Sequence, residues 1–359
     1  MSVPPKILAG PGLSARGQLY RAAIVGAGSL KGKEVAEMLS ERNFPAADIR
    51  LLDDDESIGQ LEATGDEMNF IQSLRTEQFT QVDFTFFTAD AESTRGSWKR
   101  ARDAGSAIID LSGALEKEEG AKVRSLWIER ELGNMWQPEL QPAPCAVPHP
   151  AAVTLALLLL RARKAGTIRS AVATIFEPAS EQGQKGMDEL HQQTINLLSF
   201  QTLPKDIFDA QVAFNMVARY GQKSQLSLDS LEARVRRQYQ ELAGADALEP
   251  AIMMLQPPVF HGNAVSTFLE MEQPVNEAKL LDALGGDHVT LATMEDDDSQ
   301  PSNVNTAGQP NILVSLKSDV SKPNGIWIWA AVDNLRVAAM TAVECAESMI
   351  ATRPLGKIQ

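Results

Sequence analysis

The sequence predicts an α/β protein of two domains, a doubly wound parallel sheet followed by an α+β unit. Residues 21–52 read as an apolar strand, a glycine-rich turn, a helix and a second strand, which is the βαβ arrangement of parallel sheets. After residue 150 the pattern changes to strand-like runs of a second sheet. The chain of 359 residues is long enough to form both cores.

The first domain is predicted from short apolar runs and from helical periodicity. Val35, Met38 and Leu39 recur on one face of a helix that follows the glycine-rich turn. Another helix separates the third and fourth strands. The predicted strands are residues 21–25, 48–52, 82–88 and 107–111, and the predicted helices are residues 33–42 and 93–104.

The second domain begins with the most apolar run of the chain, residues 153–160, which predicts a core helix. Its sheet suits packing against another sheet or a second subunit. The predicted strands are residues 171–176, 288–293, 311–317 and 326–331, and the later predicted helices are residues 228–242 and 335–349.

Charge and composition narrow the functional classes. The formal net charge is −14 and the pI is about 4.9, so the surface repels nucleic acid and anionic membranes, and neither is expected as a partner. No apolar run approaches the roughly 18 residues of a membrane span, and residues 1–10 lack a signal-peptide pattern. Cys145 and Cys345 form no disulfide framework. We therefore expect a cytoplasmic protein.

The turn after the first strand is a candidate nucleotide site. Gly26, Gly28 and Gly32, with Ser29 and Leu30 between them, lie between strand and helix. Glycine there lets a pyrophosphate approach the backbone, and the helix N-terminus supplies N–H groups. The spacing G-x-G-x-x-x-G is a weak fingerprint, so a tight turn that only packs is the alternative.

The end of the second strand predicts which dinucleotide would bind. Asp53 follows the apolar run and begins the acidic stretch of residues 53–56. An acidic residue there can accept a hydrogen bond from a ribose 2′-hydroxyl, and it repels a 2′-phosphate. NAD is therefore favoured over NADP.

Several stretches together resemble the aspartate-semialdehyde dehydrogenase family, whose fold is shared by N-acetyl-γ-glutamyl-phosphate reductase. They follow in order along nearly the whole chain. They are residues 24–32 (IVGAGSLKG), 86–90 (FFTAD), 108–115 (IIDLSGAL), 186–194 (GMDELHQQT), 211–215 (QVAFN), 258–263 (PVFHGN) and 329–336 (WAAVDNLR).

The resemblance implies a domain organisation. Residues 1–20 would be an N-terminal extension. Residues 21–150, joined by a C-terminal helix at residues 333–359, would form a Rossmann-like NAD(P)-binding domain. Residues 151–332 would form the substrate and dimerisation domain. The partners implied are a second copy of the chain or an active homologue.

The resemblance also implies a chemistry. The family uses NADP to interconvert an acyl phosphate and an aldehyde through a cysteine thioester, with a histidine acid/base, an orienting glutamine and two substrate-binding arginines. Such chemistry needs a thiolate and cations for the substrate anion. By the family's motifs the nucleophile position is Pro150, the acid/base position Asn263 and the orienting position Glu177.

The substrate and cofactor positions are also changed. The substrate positions fall on Glu116, Gln256 and Glu189. The family's NADP-reading Arg-Ser pair falls on Glu56 and Ser57, and its cofactor-side asparagine on Asn334. An acidic side chain about 4 Å from a substrate anion costs on the order of 4 kcal/mol at an effective dielectric of about 20. The pocket should therefore reject the family's substrate.

Four features could in principle restore chemistry. Cys145 lies five residues before Pro150, about 16 Å of extended chain, so a buried thiol is the better interpretation. His149 could face the pocket, or it could be a cap or surface residue. His261 would share a strand face with Asn263 and is a weak candidate base. The fourth feature is a charged helix face with Glu232, Arg234 and Arg236, which also suits solvent.

These observations leave two main hypotheses. The first is a non-catalytic homologue that binds a nucleotide, a metabolite or a partner. The second is an NAD-dependent oxidoreductase of altered chemistry that uses His261 or Glu177 as base. Retained aspartate-semialdehyde dehydrogenase activity is a third reading, and Pro150 argues against it. The scattered histidines and cysteines predict no metal site.

Overall fold

The computed structural model describes residues 19–53, 57–64, 67–134, 142–293 and 296–352. Within these residues the chain forms one parallel and one mixed sheet, which confirms the predicted fold class. Most of the predicted N-terminal extension, the end of the C-terminal segment and Glu56 lie outside the described residues. None of the helices in the described part of the chain is long and apolar enough to cross a membrane.

The first sheet has seven parallel strands in the order β5-β2-β1-β6-β7-β9-β8. Strands β3 and β4 form a separate antiparallel ribbon. The strands are β1 (Tyr20–Val25), β2 (Ala46–Asp53), β3 (Leu61–Thr64), β4 (Glu67–Phe70), β5 (Gln72–Ser73), β6 (Phe84–Phe87), β7 (Ala107–Asp110), β8 (Lys122–Val123) and β9 (Cys145–Ala146), and the helices are α1 (Leu30–Glu41), α2 (Ala91–Asp103) and α3 (Leu126–Glu131).

Helix α1 begins three residues earlier than the periodicity predicts. Ser29 is the N-cap, and its hydroxyl accepts a hydrogen bond from the Gly32 N–H at 3.0 Å. Such a cap satisfies an N–H group of the first turn that has no intrahelical acceptor. The glycine-rich turn therefore runs directly into the helix.

The second sheet is mixed, with the order β11-β10-β12-β15-β14-β13. The pairs β10–β11 and β13–β14 are parallel, and the others are antiparallel. The strands are β10 (Ile168–Phe176), β11 (Ala251–Leu255), β12 (Asn263–Met271), β13 (Val289–Leu291), β14 (Ile312–Ser318) and β15 (Gly325–Val332), and the helices are α4 (Pro150–Ala165), α5 (Gly183–Leu198), α6 (Leu228–Ala243), α7 (Glu277–Leu284) and α8 (Asn334–Thr352).

Two helices tie the halves of the molecule together. Helix α4 is buried from Pro150 to Ala162, which accounts for its apolar sequence. Helix α8 returns from the second sheet and packs on α1, where Arg42 pairs with Glu347 at 2.6 Å. Four segments therefore converge on one region: the start of α4, the turn before α1, the residues after β10 and the start of β12.

Candidate functional site

The N-terminus of α4 carries a proline and a histidine. Pro150 is the first helical residue and is buried; proline suits this position because its missing N–H would have no intrahelical acceptor. His149 is the N-cap, and its Nδ1 accepts a hydrogen bond from the Ala151 N–H at 3.2 Å. This helix end could stabilise a thiolate, but it is capped by an imidazole and carries no sulfur.

Glu177 joins this histidine to the start of β12. Its Oε1 lies 3.1 Å from His149 Nε2, and its Oε2 accepts a hydrogen bond from Asn263 Nδ2 at 2.8 Å. All three side chains are buried, with at most 1 % exposure. Glu177 and Asn263, which are expected at the orienting and acid/base positions, are thus in contact with each other, and Pro150 follows His149 in the chain, but solvent does not reach these residues.

The hydrogen bonds of His149 define its tautomer. Because Nδ1 accepts from a backbone N–H, the ring proton lies on Nε2 and is donated to Glu177. Asn263 Oδ1 has no hydrogen-bond partner among the described residues. An amide therefore stands at the acid/base position, and the buried imidazole is engaged at both nitrogens.

A second buried carboxylate, Glu181, lies beside the first. It pairs with Lys31 at 2.8 Å, accepts a hydrogen bond from Asn334 Nδ2 at 3.1 Å and lies 4.0 Å from His149 Nε2. Burial alone would raise the pKa of Glu181, but the positive charge of Lys31 in contact with it, with more from Arg234, lowers it below the ordinary value. Glu181 is therefore ionised at neutral pH.

His149, Glu177 and Glu181 are spaced like the ligands of a metal ion, but their other contacts do not suit a metal. Ligand-type atoms of His149, Glu177 and Glu181 lie within 4.8 Å of one another. Lys31 already supplies positive charge to Glu181, and a metal on Nε2 of His149 would force a proton onto Nδ1, which faces a backbone N–H. These contacts favour an ion-pair network over a coordination site.

Asn334, expected on the cofactor side, is fully buried inside this network. Its Oδ1 accepts hydrogen bonds from the Ser180 hydroxyl at 3.2 Å and the Gly262 N–H at 3.1 Å, while its Nδ2 donates to Glu181. The amide thereby joins α8 to the residues after β10 and before β12. A bound nicotinamide would have to compete with these three contacts.

Gln256 and Glu189, at two of the expected substrate positions, accept hydrogen bonds from neighbouring groups of the protein. Gln256 is buried and accepts a hydrogen bond from the Tyr220 hydroxyl at 2.9 Å. Burial, with the charge of Glu177, raises the pKa of Tyr220, so its hydroxyl stays a neutral donor. Glu189 accepts hydrogen bonds from the N–H groups of Ile207 and Phe208 at 2.6 and 3.1 Å and holds the loop after α5.

Glu116, the third expected substrate position, lies between arginines of α6. Its carboxylate contacts Arg234 Nε and Arg237 at 2.5 Å each. On the same helix Glu232 and Arg236 pair with each other at 3.0 Å. The predicted charged face of α6 is thus divided between a partly exposed pair and an inward contact with Glu116.

The remaining candidates for chemistry are separated from the network. The expectation that His261 shares a strand face with Asn263 is wrong, because β12 begins at Asn263 and Gly262 before it has a φ of 84°. His261 lies in the preceding turn and is half-buried. Cys145 and Cys345 are free thiols with 0 % exposure in the core, so neither is accessible to a substrate from solvent.

The glycine-rich turn uses most of its N–H groups internally. Leu52 accepts from the N–H groups of Gly26 and Ala27, and Asp53 Oδ2 accepts from the Gly28 N–H at 3.1 Å. A Cβ on Gly28 would lie 2.2 Å from the Ser57 hydroxyl. Close packing thus accounts for every glycine of the turn. A pyrophosphate bound here would accept hydrogen bonds from the N–H groups of Leu30 and Lys31.

Four residues that the sequence did not predict complete the network through ion pairs and hydrogen bonds: Lys31, Glu181, Gln238 and Tyr220. One local signal was available. Glu177 and Glu181 flank residues 178–180 (PAS) directly after an apolar strand, and two carboxylates so placed require partners. Lys31 lies in the first turn of α1, directly after the glycine-rich turn.

Comparison with known proteins defines the class to which this fold and site belong. The family model described as "Semialdehyde dehydrogenase, NAD binding domain" matches residues 21–157, and the one described as "Semialdehyde dehydrogenase, dimerisation domain" matches residues 159–337. These models cover both sheets. The NAD-binding domain supports a nucleotide cofactor, and the dimerisation domain supports a homodimer.

Individual relatives and a solved structure identify the family within the semialdehyde dehydrogenases. A "USG-1 protein homolog" of Pseudomonas aeruginosa is 31% identical over 93% of this chain and 98% of its own length. An aspartate-semialdehyde dehydrogenase of Rickettsia bellii is 28% identical over 93% and 98%. The structure of a probable aspartate-semialdehyde dehydrogenase from Pseudomonas aeruginosa superimposes with a TM-score of 0.81 at 29% identity, covering 93% of this chain and 99% of that one. The chain belongs to the aspartate-semialdehyde dehydrogenase family.

Proposed function

We propose that this chain is a non-catalytic member of the family that acts as a binding subunit. The family resemblance assigns Pro150, Asn263 and Glu177 to the nucleophile, acid/base and orienting positions. One observation supports the proposal: Asn263 and Glu177 are buried in a hydrogen-bonded network with His149. Covalent catalysis needs a thiol or hydroxyl nucleophile with an adjacent base. The hydroxyl of Ser180 in this network is buried and donates its proton to Asn334 rather than to a base, and the imidazole of His149 is already engaged.

The decisive experiment measures reduced nicotinamide formed from aspartate semialdehyde, phosphate and either NADP or NAD. We expect no rate above background from the wild type. Pro150→Cys should also stay inactive, because the variant supplies a sulfur but neither the acid/base nor the substrate-binding arginine.

Pro150→Ala is the matched control for loss of proline, and the Rickettsia bellii aspartate-semialdehyde dehydrogenase is the positive control. A wild-type rate that survives repurification would overturn the proposal.

The alternative, an oxidoreductase of altered chemistry, has less support. Glu177 has 0 % exposure and both its oxygens are engaged, so it reaches no substrate without rearrangement. His261 is half-buried but has no nucleophile beside it. This alternative requires NAD-dependent turnover that is lost in His261→Ala.

We further propose that the ligand of the first domain is NAD rather than NADP. The carboxylate of Asp53 lies at the end of β2 beside Gly28, where it would repel a 2′-phosphate. Isothermal titration should give a Kd for NAD roughly tenfold lower than for NADP. Asp53→Asn should narrow the difference. Equal or tighter NADP binding, or no binding of either, would contradict the proposal and leave the turn a packing element.

We propose assembly through the outward face of the second sheet. Val172, Met253 and Trp327 are 40–50 % exposed there, while Ala171 and Ala173 point inward and are buried. Val172→Asp should weaken the dimer by about 2–4 kcal/mol, since a charge would be buried, and light scattering after gel filtration should detect monomer. Val320→Asp, at a fully exposed valine, is the control; unchanged dimer in both would refute this assembly.

Three smaller points belong to the same proposal. A mixed dimer with an active relative would use the same sheet face and can be detected by native mass spectrometry after co-expression.

No metal takes part, because Lys31 already neutralises Glu181 and the His149 tautomer does not suit metal binding at Nε2; elemental analysis tests this. A cytoplasmic location fits the two free thiols, since a reducing compartment keeps them so.

A further inference from the structure

A cleft of about 520 Å³ lies between the two domains beside Glu116. The first domain contributes α2 and the loop after β7, and the second contributes α6. The cleft has more positive than negative side chains although the chain as a whole carries −14. The charged residues that line it are Arg95, Lys117, Arg234, Arg237, Glu116 and Glu118.

The carboxylate of Glu116 occupies the inner end of this cleft and is 4 % exposed. Its Oε1 accepts hydrogen bonds from Arg234 Nε at 2.5 Å and Gln238 Nε2 at 2.8 Å, and its Oε2 accepts one from Arg237 at 2.5 Å. Two guanidinium groups and an amide converging on one carboxylate are the donors with which proteins recognise a carboxylate or a phosphate.

Two of these donors, Gln238 and Arg234, have contacts that do not involve Glu116. Gln238 Oε1 accepts the His149 N–H at 2.8 Å, which turns its Nε2 towards the cleft. Gly113 has a φ of 76°, and a Cβ there would lie 2.7 Å from Arg234 Nη2, so the guanidinium packs on a backbone that only glycine allows. The position is therefore preorganised for an anion.

We propose that Glu116 is a resident anion, a side chain that fills the anion-binding position formed by Arg234, Arg237 and Gln238. It thereby keeps the carboxylate and phosphate groups of solution ligands out of the cleft. This inference rests on the proposed non-catalytic function and deepens it, because it gives a reason for exclusion of the substrate that is independent of the missing nucleophile.

The test is to remove the carboxylate and offer small anions in its place. Glu116→Ala, the wild type and Glu118→Ala are titrated with acetate and with inorganic phosphate at constant ionic strength, by calorimetry and by Tm. Glu118 lines the same cleft, and its ion pair is a distant one with exposed Lys99 at 3.8 Å. Only Glu116→Ala should gain saturable binding, roughly tenfold tighter than the wild type, with a rise in Tm.

Acetate binding alone would define a carboxylate site, and binding of both anions a general one; either supports the proposal. It is overturned if folded, dimeric Glu116→Ala binds no better than the controls, or if the wild type binds as tightly. Should Glu116→Ala fail to fold, Glu116→Gln keeps the side-chain volume and leaves one guanidinium without its anion. Its Tm should then rise with acetate or phosphate more than that of the wild type, and no such rise also overturns the proposal.

The binding result can be separated from the proposed function. Wild-type turnover of aspartate semialdehyde would refute the non-catalytic function without changing the anion titration. Anion binding by the wild type would refute the resident anion without creating a nucleophile.

Discussion

Lys31→Met is expected to lower the free energy of unfolding by about 3 kcal/mol at pH 7, the order of magnitude for removing one partner of a buried ion pair. Lys31 is 18 % exposed and pairs with Glu181, which is 4 % exposed. Without the ammonium group the carboxylate keeps its hydrogen bond from Asn334 but loses its nearest full positive charge. Breaking one side of a buried pair leaves a charge that is costly to desolvate. Urea denaturation of both proteins measures the difference.

The effect should depend on pH in a stated direction. Folding lowers the pKa of Glu181 below its ordinary value of 4.5, so the folded state binds this proton less readily than the unfolded state. The resulting stability is fully present above about pH 5 and is lost as the pH falls below the pKa of the unfolded state and then through the lower pKa of the folded state. The gap between wild type and Lys31→Met should therefore shrink over this window.

Lys33→Met is the matched control for this experiment. Lys33 lies on the same helix and pairs with Glu62 at 3.1 Å, but it is 49 % exposed. Exposed pairs contribute about 0–1 kcal/mol. Equal losses in the two variants, or a loss in Lys31→Met that does not change with pH, would show that the Lys31–Glu181 pair is not the stabilising contact.

Glu177→Ala is expected to cost about 3–5 kcal/mol of stability. The variant leaves the Nε2–H of His149 and the Nδ2 of Asn263 without acceptors in a fully buried region, and it also creates a cavity. Glu177→Gln, which restores the residue type of the family, should cost about 1–3 kcal/mol. Its amide offers one oxygen to two donors and turns its own NH₂ towards the other.

The control is Glu272→Ala, at an exposed glutamate after β12, where a change within about 0.5 kcal/mol is expected. Chemical denaturation of the three variants should rank Glu177→Ala below Glu177→Gln and Glu272→Ala. If Glu177→Gln were as stable as the wild type, the carboxylate would not be needed to hold the network, and the sealed site would need another explanation.

The network also explains why one substitution should not restore catalysis. A sulfur at position 150 would stand at the start of α4 next to His149, whose ring is committed to Glu177 and to the helix cap. Asn263 cannot transfer a proton near neutral pH. Arg234 and Arg237 of the cleft form ion pairs with Glu116 and so are not available to a substrate anion. At least three positions would have to change together before a thioester could form and be resolved.

Local patterns in the sequence were sufficient for the fold class, although they did not predict the strands β11 and β12 or the helices α5 and α7. The periodicity of Val35, Met38 and Leu39 predicted α1, and its start moved only because Ser29 caps the helix. The sequence also showed that Pro150 and Asn263 cannot serve as nucleophile and acid. These conclusions depend on residue type and on neighbours within a few positions, where helix and strand periods operate.

Only the tertiary structure decided which residues contact one another in the candidate site. Lys31 and Glu181 are 150 positions apart, His149 and Glu177 are 28 apart, and Arg234 reaches Glu116 across 118. No periodicity relates such residues, because their approach is set by how the two sheets bring α1, α4, α6 and β10 together. Because these side chains are buried, each charged group needs a partner, since an unpaired charge in the core would strongly destabilise the folded state.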